Sequence, residues 1–143
     1  MSYNSDFERA FIERSLALVQ EYKGPFDATL LLNCLLGLLV VPKEACRASI
    51  PQVPIAELSD WGIDPKAITS FGKCDGPNND PRNLRGLVWR LRNAVAHFRF
   101  TPVPSSGEVK AFCFRDMSGF EATVPLSELR VFVERLASHI KNM

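Results

Sequence analysis

The chain has 143 residues, 46% of them hydrophobic and 23% charged, with a formal net charge of +1. That composition belongs to an ordinary globular domain, long enough to bury about two-thirds of its unfolded surface around one core. It excludes a generally basic chain, so any positive patch must be local. The opening Met-Ser-Tyr-Asn-Ser-Asp has neither the basic nor the apolar region of a secretory signal. The longest apolar run, Leu30 to Val41, is interrupted by Asn33 and is too short to cross a bilayer. Cytoplasmic residence without membrane attachment is therefore expected. Four scattered cysteines (Cys34, Cys46, Cys74, Cys113) read as free thiols.

A first helix is expected from Asp6 to Tyr22, capped by Ser5 or Asp6 and stopped by Gly24-Pro25. A second should start near Pro25 and run to Val41, where Pro42 ends it; it is apolar almost all round, as a central helix would be. Residues 43–80 then read as a proline-rich loop insertion, with one short helix at Asp64 to Phe71 because Asp64 can cap and Pro65 suits the first turn. The third helix spans Arg82 to Phe98, with Leu84, Leu87, Val88, Leu91, Val95 and Phe98 forming one apolar stripe. Residues 108–124 read as an inserted β-hairpin: Val109–Phe114 and Phe120–Val124 flank Asp-Met-Ser-Gly, and Gly119 can supply a positive φ. A last helix covers Leu126 to Lys141. The expected architecture is a single, mainly α domain over residues 1–143: a four-helix bundle with a long loop after helix 2 and a β-hairpin before the last helix.

Chemistry concentrates on the third helix. Five arginines (Arg82, Arg85, Arg90, Arg92, Arg99) fall between residues 82 and 99 with no acid among them. Within that stretch lies Arg92-Asn93-Ala94-Val95-Ala96-His97, a cation, an amide and an imidazole that suit phosphate binding and proton transfer. At 100° per residue the stripe centres on Leu91, Trp89 and Asn93 point away from it, and Arg92 and His97 flank that outward face. Arg92 and His97 are about 140° apart around the axis and about 7.5 Å along it. One helix cannot close both on a single phosphate. Two helices across a two-fold axis could, and the small Ala94 and Ala96 would let them approach.

This hexapeptide matches the Arg-x4-6-His motif, with a polar residue after the arginine, and so the chain resembles the HEPN superfamily (higher eukaryote and prokaryote nucleotide-binding domains). The resemblance implies a HEPN-like bundle and a metal-independent endoribonuclease that works as a homodimer through helix 3, with no cofactor. Toxin and anti-phage defence roles go with such enzymes, as does control by an antitoxin or other regulatory protein. The catalytic positions it implies are Arg92, Asn93 and His97. One branch of the family carries, two residues after the histidine, a tyrosine that a partner nucleotidyltransferase can modify. Here that residue is Arg99, a departure from that route of neutralisation.

In the expected reaction the 2′-hydroxyl of RNA attacks its own phosphate. His97 moves the proton, Arg92 stabilises charge on the phosphate, and Asn93 orients the imidazole or donates to the phosphate. Arg82, Arg85 and Arg90 are expected to track the RNA backbone, and Trp89 to stack a base or pack the dimer. Two alternatives keep less of this: a non-catalytic RNA- or nucleotide-binding module, and a helical interaction protein whose third helix is only a dimer seam.

Overall fold

A computed structural model describes residues 3–24, 27–40, 50–105 and 107–141. Helix α1 (Tyr3–Glu21) is followed by α2 (Asp27–Val40), a 3-10 segment (Ile55–Trp61), a 3-10 turn (Pro65–Ala67) and strand β1 (Ile68–Phe71). A further 3-10 turn (Pro77–Asn79) leads into α3 (Leu84–Ala96). Three strands, β2 (Phe100–Ser105), β3 (Glu108–Arg115) and β4 (Phe120–Pro125), precede α4 (Leu126–Lys141). The strands form one antiparallel sheet in the order β1-β4-β3-β2.

This overturns the expectation of a mainly α four-helix bundle: the fold is mixed α/β. The hairpin of residues 108–124 is not an appendage but the centre of the sheet. Each flanking strand has a physical reason for escaping a reading of the sequence. β2 contains Pro102 and Pro104, which a central strand would reject, but β2 lies at the sheet edge, where a missing N–H costs little. β1 sits where local signals point to a helix. Asp64 does cap, its carboxylate accepting from Lys66 N at 2.9 Å, and Pro65 does take the first position. The helical turn stops at Ala67, because Ile68-Thr69-Ser70-Phe71 is β-branched or aromatic at three of four positions and pairs with β4.

The β3–β4 turn forms as its residues require. Gly119 has φ 97°, and the Asp116 carboxylate accepts from Ser118 N at 2.9 Å and Phe120 N at 3.3 Å. Along β4 the inward side chains Phe120, Ala122 and Val124 alternate with the half-buried Glu121 and Thr123. The inner face of the sheet meets α3 and α4, and these in turn carry α1 and α2. Leu31, Leu87, Leu91, Phe114, Phe120, Phe132 and Leu136, all essentially without exposed surface, belong to one shared core. Helix boundaries shift accordingly. Ser5 and Asp6 lie inside α1 rather than capping it, and α3 is shorter than residues 82–98 by two at each end. The expected breaks at Pro25 and Pro42 fall outside the described residues. Asn33 is exposed, so α2 is not apolar all round.

Residues 72–80 do not hang free as a loop; they clasp the first half of α3. A Cβ on Gly86 would lie 1.9 Å from the backbone oxygen of Asp80. Alanine at this position gains helix propensity but must push backbone aside, and the second effect is larger. Gly86→Ala should therefore lower stability by about 2 kcal/mol. Urea unfolding measures it: the midpoint should fall with the slope unchanged. A midpoint equal to the parent's would mean that the clasp yields freely.

Candidate functional site

Helix α3 begins at Asn83, whose side-chain oxygen accepts from Gly86 N at 3.0 Å while its amide donates to Pro77 O at 2.8 Å. The buried face comprises Leu84, Gly86, Leu87, Val88, Arg90, Leu91, Ala94 and Val95. Arg85, Trp89, Arg92 and Asn93 are half-buried and Ala96 is exposed, so these residues form the outward stripe. Three- and four-residue spacing places Trp89, Arg92, Asn93 and Ala96 on one side.

The helix ends in a full Schellman arrangement. Phe98 N donates to Val95 O at 3.1 Å and Arg99 N to Ala94 O at 2.7 Å. His97 is therefore the C-cap (φ −98°, ψ 11°), just beyond the last helical residue and exposed. Phe98 takes the left-handed position with φ 57°, which is normally glycine's.

The guanidinium carbon of Arg92 lies 5.3 Å from the centre of the Trp89 ring, one turn back toward the helix start. His97 lies at the other end. Arg92 thus leans toward the start of the helix, whereas the His97 backbone lies just past its end. The Asn93 backbone oxygen accepts the His97 N–H at 3.1 Å, which fixes where the imidazole leaves the helix.

The arginines expected to track RNA do not share one role. Arg90 is a correction: it is 4% exposed and wholly engaged inside the protein. Its Nε donates to Asn79 O at 2.7 Å, Nη1 to Asp116 at 3.0 Å and to the Ser118 hydroxyl, and Nη2 to Lys73 O. It ties the 72–80 clasp to the β3–β4 turn. Arg85 Nε donates to Ile50 O at 2.7 Å and its Nη1 to Asn78 at 3.2 Å, so its donors largely serve the fold. Arg82, ahead of the helix, is exposed but pairs with Asp80 at 2.9 Å and covers the Phe71 ring at 5.5 Å. That hydrogen-bonded pair holds the Asp80 carboxyl below its ordinary value. Trp89 borders a groove of about 410 Å³ with Asp75, Pro77, Asn78 and Asn79.

A second groove, of about 380 Å³, opens immediately after the histidine, between Phe98, Arg99, Phe100, Thr101 and Arg115. Sequence reasoning misses it because Arg115 arrives from β3. Its signal is the alternation His97-Phe98-Arg99-Phe100, which sets aromatic and cationic groups side by side. Among the described residues, Cys34, Cys74 and Cys113 are free thiols, and no three His, Cys, Asp or Glu side chains gather as metal ligands. None of the described helices is long and apolar enough to cross a membrane.

No curated protein and no solved structure matches the chain. A family model does, from end to end: the one described as HEPN pEK499 p136 covers residues 1–143, and the chain belongs to that HEPN family.

Proposed function

We propose that the protein is a metal-independent endoribonuclease whose active sites are completed by dimerisation through α3, and that it serves as a toxin or defence effector in the cytoplasm. The observation that carries this reading is the outward-facing Arg92–Asn93–His97 array at the end of α3, in a chain that a HEPN family model matches throughout. The nucleophile is the RNA's own 2′-hydroxyl. His97 takes its proton as the 2′-oxygen bonds to phosphorus, and the bond to the 5′-oxygen breaks. The departing 5′-oxygen takes a proton from water, and the hydroxide so formed takes back the proton held by His97. The imidazole is then neutral again, and the products are a 2′,3′-cyclic phosphate and a 5′-hydroxyl. Arg92 swings off Trp89 to bind the non-bridging oxygens, where negative charge accumulates. Asn93, half-buried on the same side of the helix, donates its amide to the phosphate.

The test is purified protein with total RNA in EDTA, beside His97→Ala. The expected products carry cyclic phosphate and 5′-hydroxyl ends, and the variant should cut at least about a hundredfold more slowly, as befits loss of a proton-transfer group. RNA that is bound but never cut would make the protein a binding module. Cutting that survives the substitution would remove His97 from the mechanism.

A further inference from the structure

The Phe98 side chain is 80% exposed although its backbone is held at φ 57°. Glycine would close the same helix end without that strain, and the fold recovers little from a ring left in water. The ring is nonetheless held in place. It leans on Phe100 at 4.7 Å between centroids with a 44° tilt, and Phe100 contacts Phe112 edge-on at 6.1 Å. A file of aromatic rings thus runs from the core to the surface and ends beside His97.

The surroundings are polar and cationic. The Arg99 side chain makes no ion pair among the described residues, and Arg115, held by Glu121 at 2.7 Å, is 62% exposed. A protein partner would want contiguous apolar area; here one flat ring is rimmed by two guanidinium groups and Thr101. The groove's other lining residues are Cys113 and Asp116, whose nearly buried carboxylate is already paired with Arg90. That combination suits a nucleobase whose own phosphates lie against the arginines.

We infer that Phe98 is the stacking platform for one base of single-stranded RNA, that of the nucleotide adjoining the phosphate handled at His97, with Arg99 against its backbone. This rests on the endoribonuclease reading, and its experiment separates the two. Binding is measured in the His97→Ala background, so that nothing is cut, using a short single-stranded oligoribonucleotide and a set carrying one abasic site at each position in turn.

With Phe98 present, one abasic position should weaken binding about tenfold. Phe98→Leu should bind the intact RNA about tenfold more weakly and be indifferent to the abasic site, while Phe98→Trp should restore affinity. Phe98→Gly should bind as poorly as the leucine variant yet unfold at higher urea, because it relieves the backbone. Equal affinities with Phe98 present and in Phe98→Leu, or an equal abasic penalty in both, overturn the platform. So does a loss that follows a weakened dimer in sedimentation, which makes the ring a protein contact. A platform found in a protein that never cuts RNA leaves this inference standing and removes the enzymatic one.

Discussion

Replacing Arg90 with alanine is expected to cost about 3–5 kcal/mol of stability, a large share of what holds a domain of this size folded. The guanidinium and the Asp116 carboxylate are 5% and 7% exposed, so the substitution leaves a buried carboxylate facing a void. Backbone carbonyls of Lys73 and Asn79 and the Ser118 hydroxyl lose their donor at the same stroke. Lysine should rescue little, because one ammonium cannot reach partners spread around a planar fork. Burial alone would push the Asp116 carboxyl up, but hydrogen bonds from Ser118 and Arg90 outweigh it, and the carboxyl sits below its ordinary range. A lowered folded value means stability that is present above the unfolded value near 4 and lost as pH falls through the folded one. Urea melts across that acid range should therefore show a slope in the parent that is shallower in Arg90→Ala. If Arg90 were an RNA contact, the melt would be unchanged and the salt dependence of RNA binding would drop instead.

Arg90 also shows where the sequence stops being informative. Its direction around α3 follows from the helical repeat, but what it meets does not. Lys73, Asn79 and Asp116 come from segments whose placement depends on tertiary structure. Cationic side chains clustered on a helix look alike in sequence whether they face solvent, as Arg92 partly does, or a buried carboxylate. The same limit hides the sheet. The β3–β4 hairpin is local, written in two alternating runs and a glycine turn, and it is legible. β1 joins it from about fifty residues away, through a four-residue strand with a register shift at Ile68/Ser70, and no local period announces such a strand.

The outward face of α3 is legible for the opposite reason. A helix carries its own geometry, so Leu91 as the buried centre and Trp89, Asn93 and Ala96 on the other side follow from 100° steps. The helix end is harder. Three- and four-residue steps place Phe98 in the apolar stripe, and periodicity alone supports that. Yet the chain reverses at Phe98 and sends the ring outward, a turn for which phenylalanine gives no propensity signal.

A dimeric site makes a quantitative demand on mixed subunits. Arg92→Ala and His97→Ala should each be inactive alone, yet mixing the two and allowing exchange should restore about a quarter of parental RNA cleavage. The reasoning is geometric. Arg92 lies back over Trp89 while His97 caps the far end of α3, so the proposed dimer has the partner subunit supply the arginine that serves each imidazole. In a mixed dimer one site then combines an intact arginine with an intact histidine, and the other lacks both. About half of randomly exchanged dimers are mixed, with one of two sites working in each. Were both groups drawn from the same chain, every site in every mixture would lack one of them and no activity would return. A chain carrying both substitutions, mixed with the parent, provides the control: activity should fall with dilution by dead subunits and never rise. Cleavage measured against the fraction of mixed dimer, set by the ratio of the two proteins, separates the arrangements without any knowledge of the natural RNA.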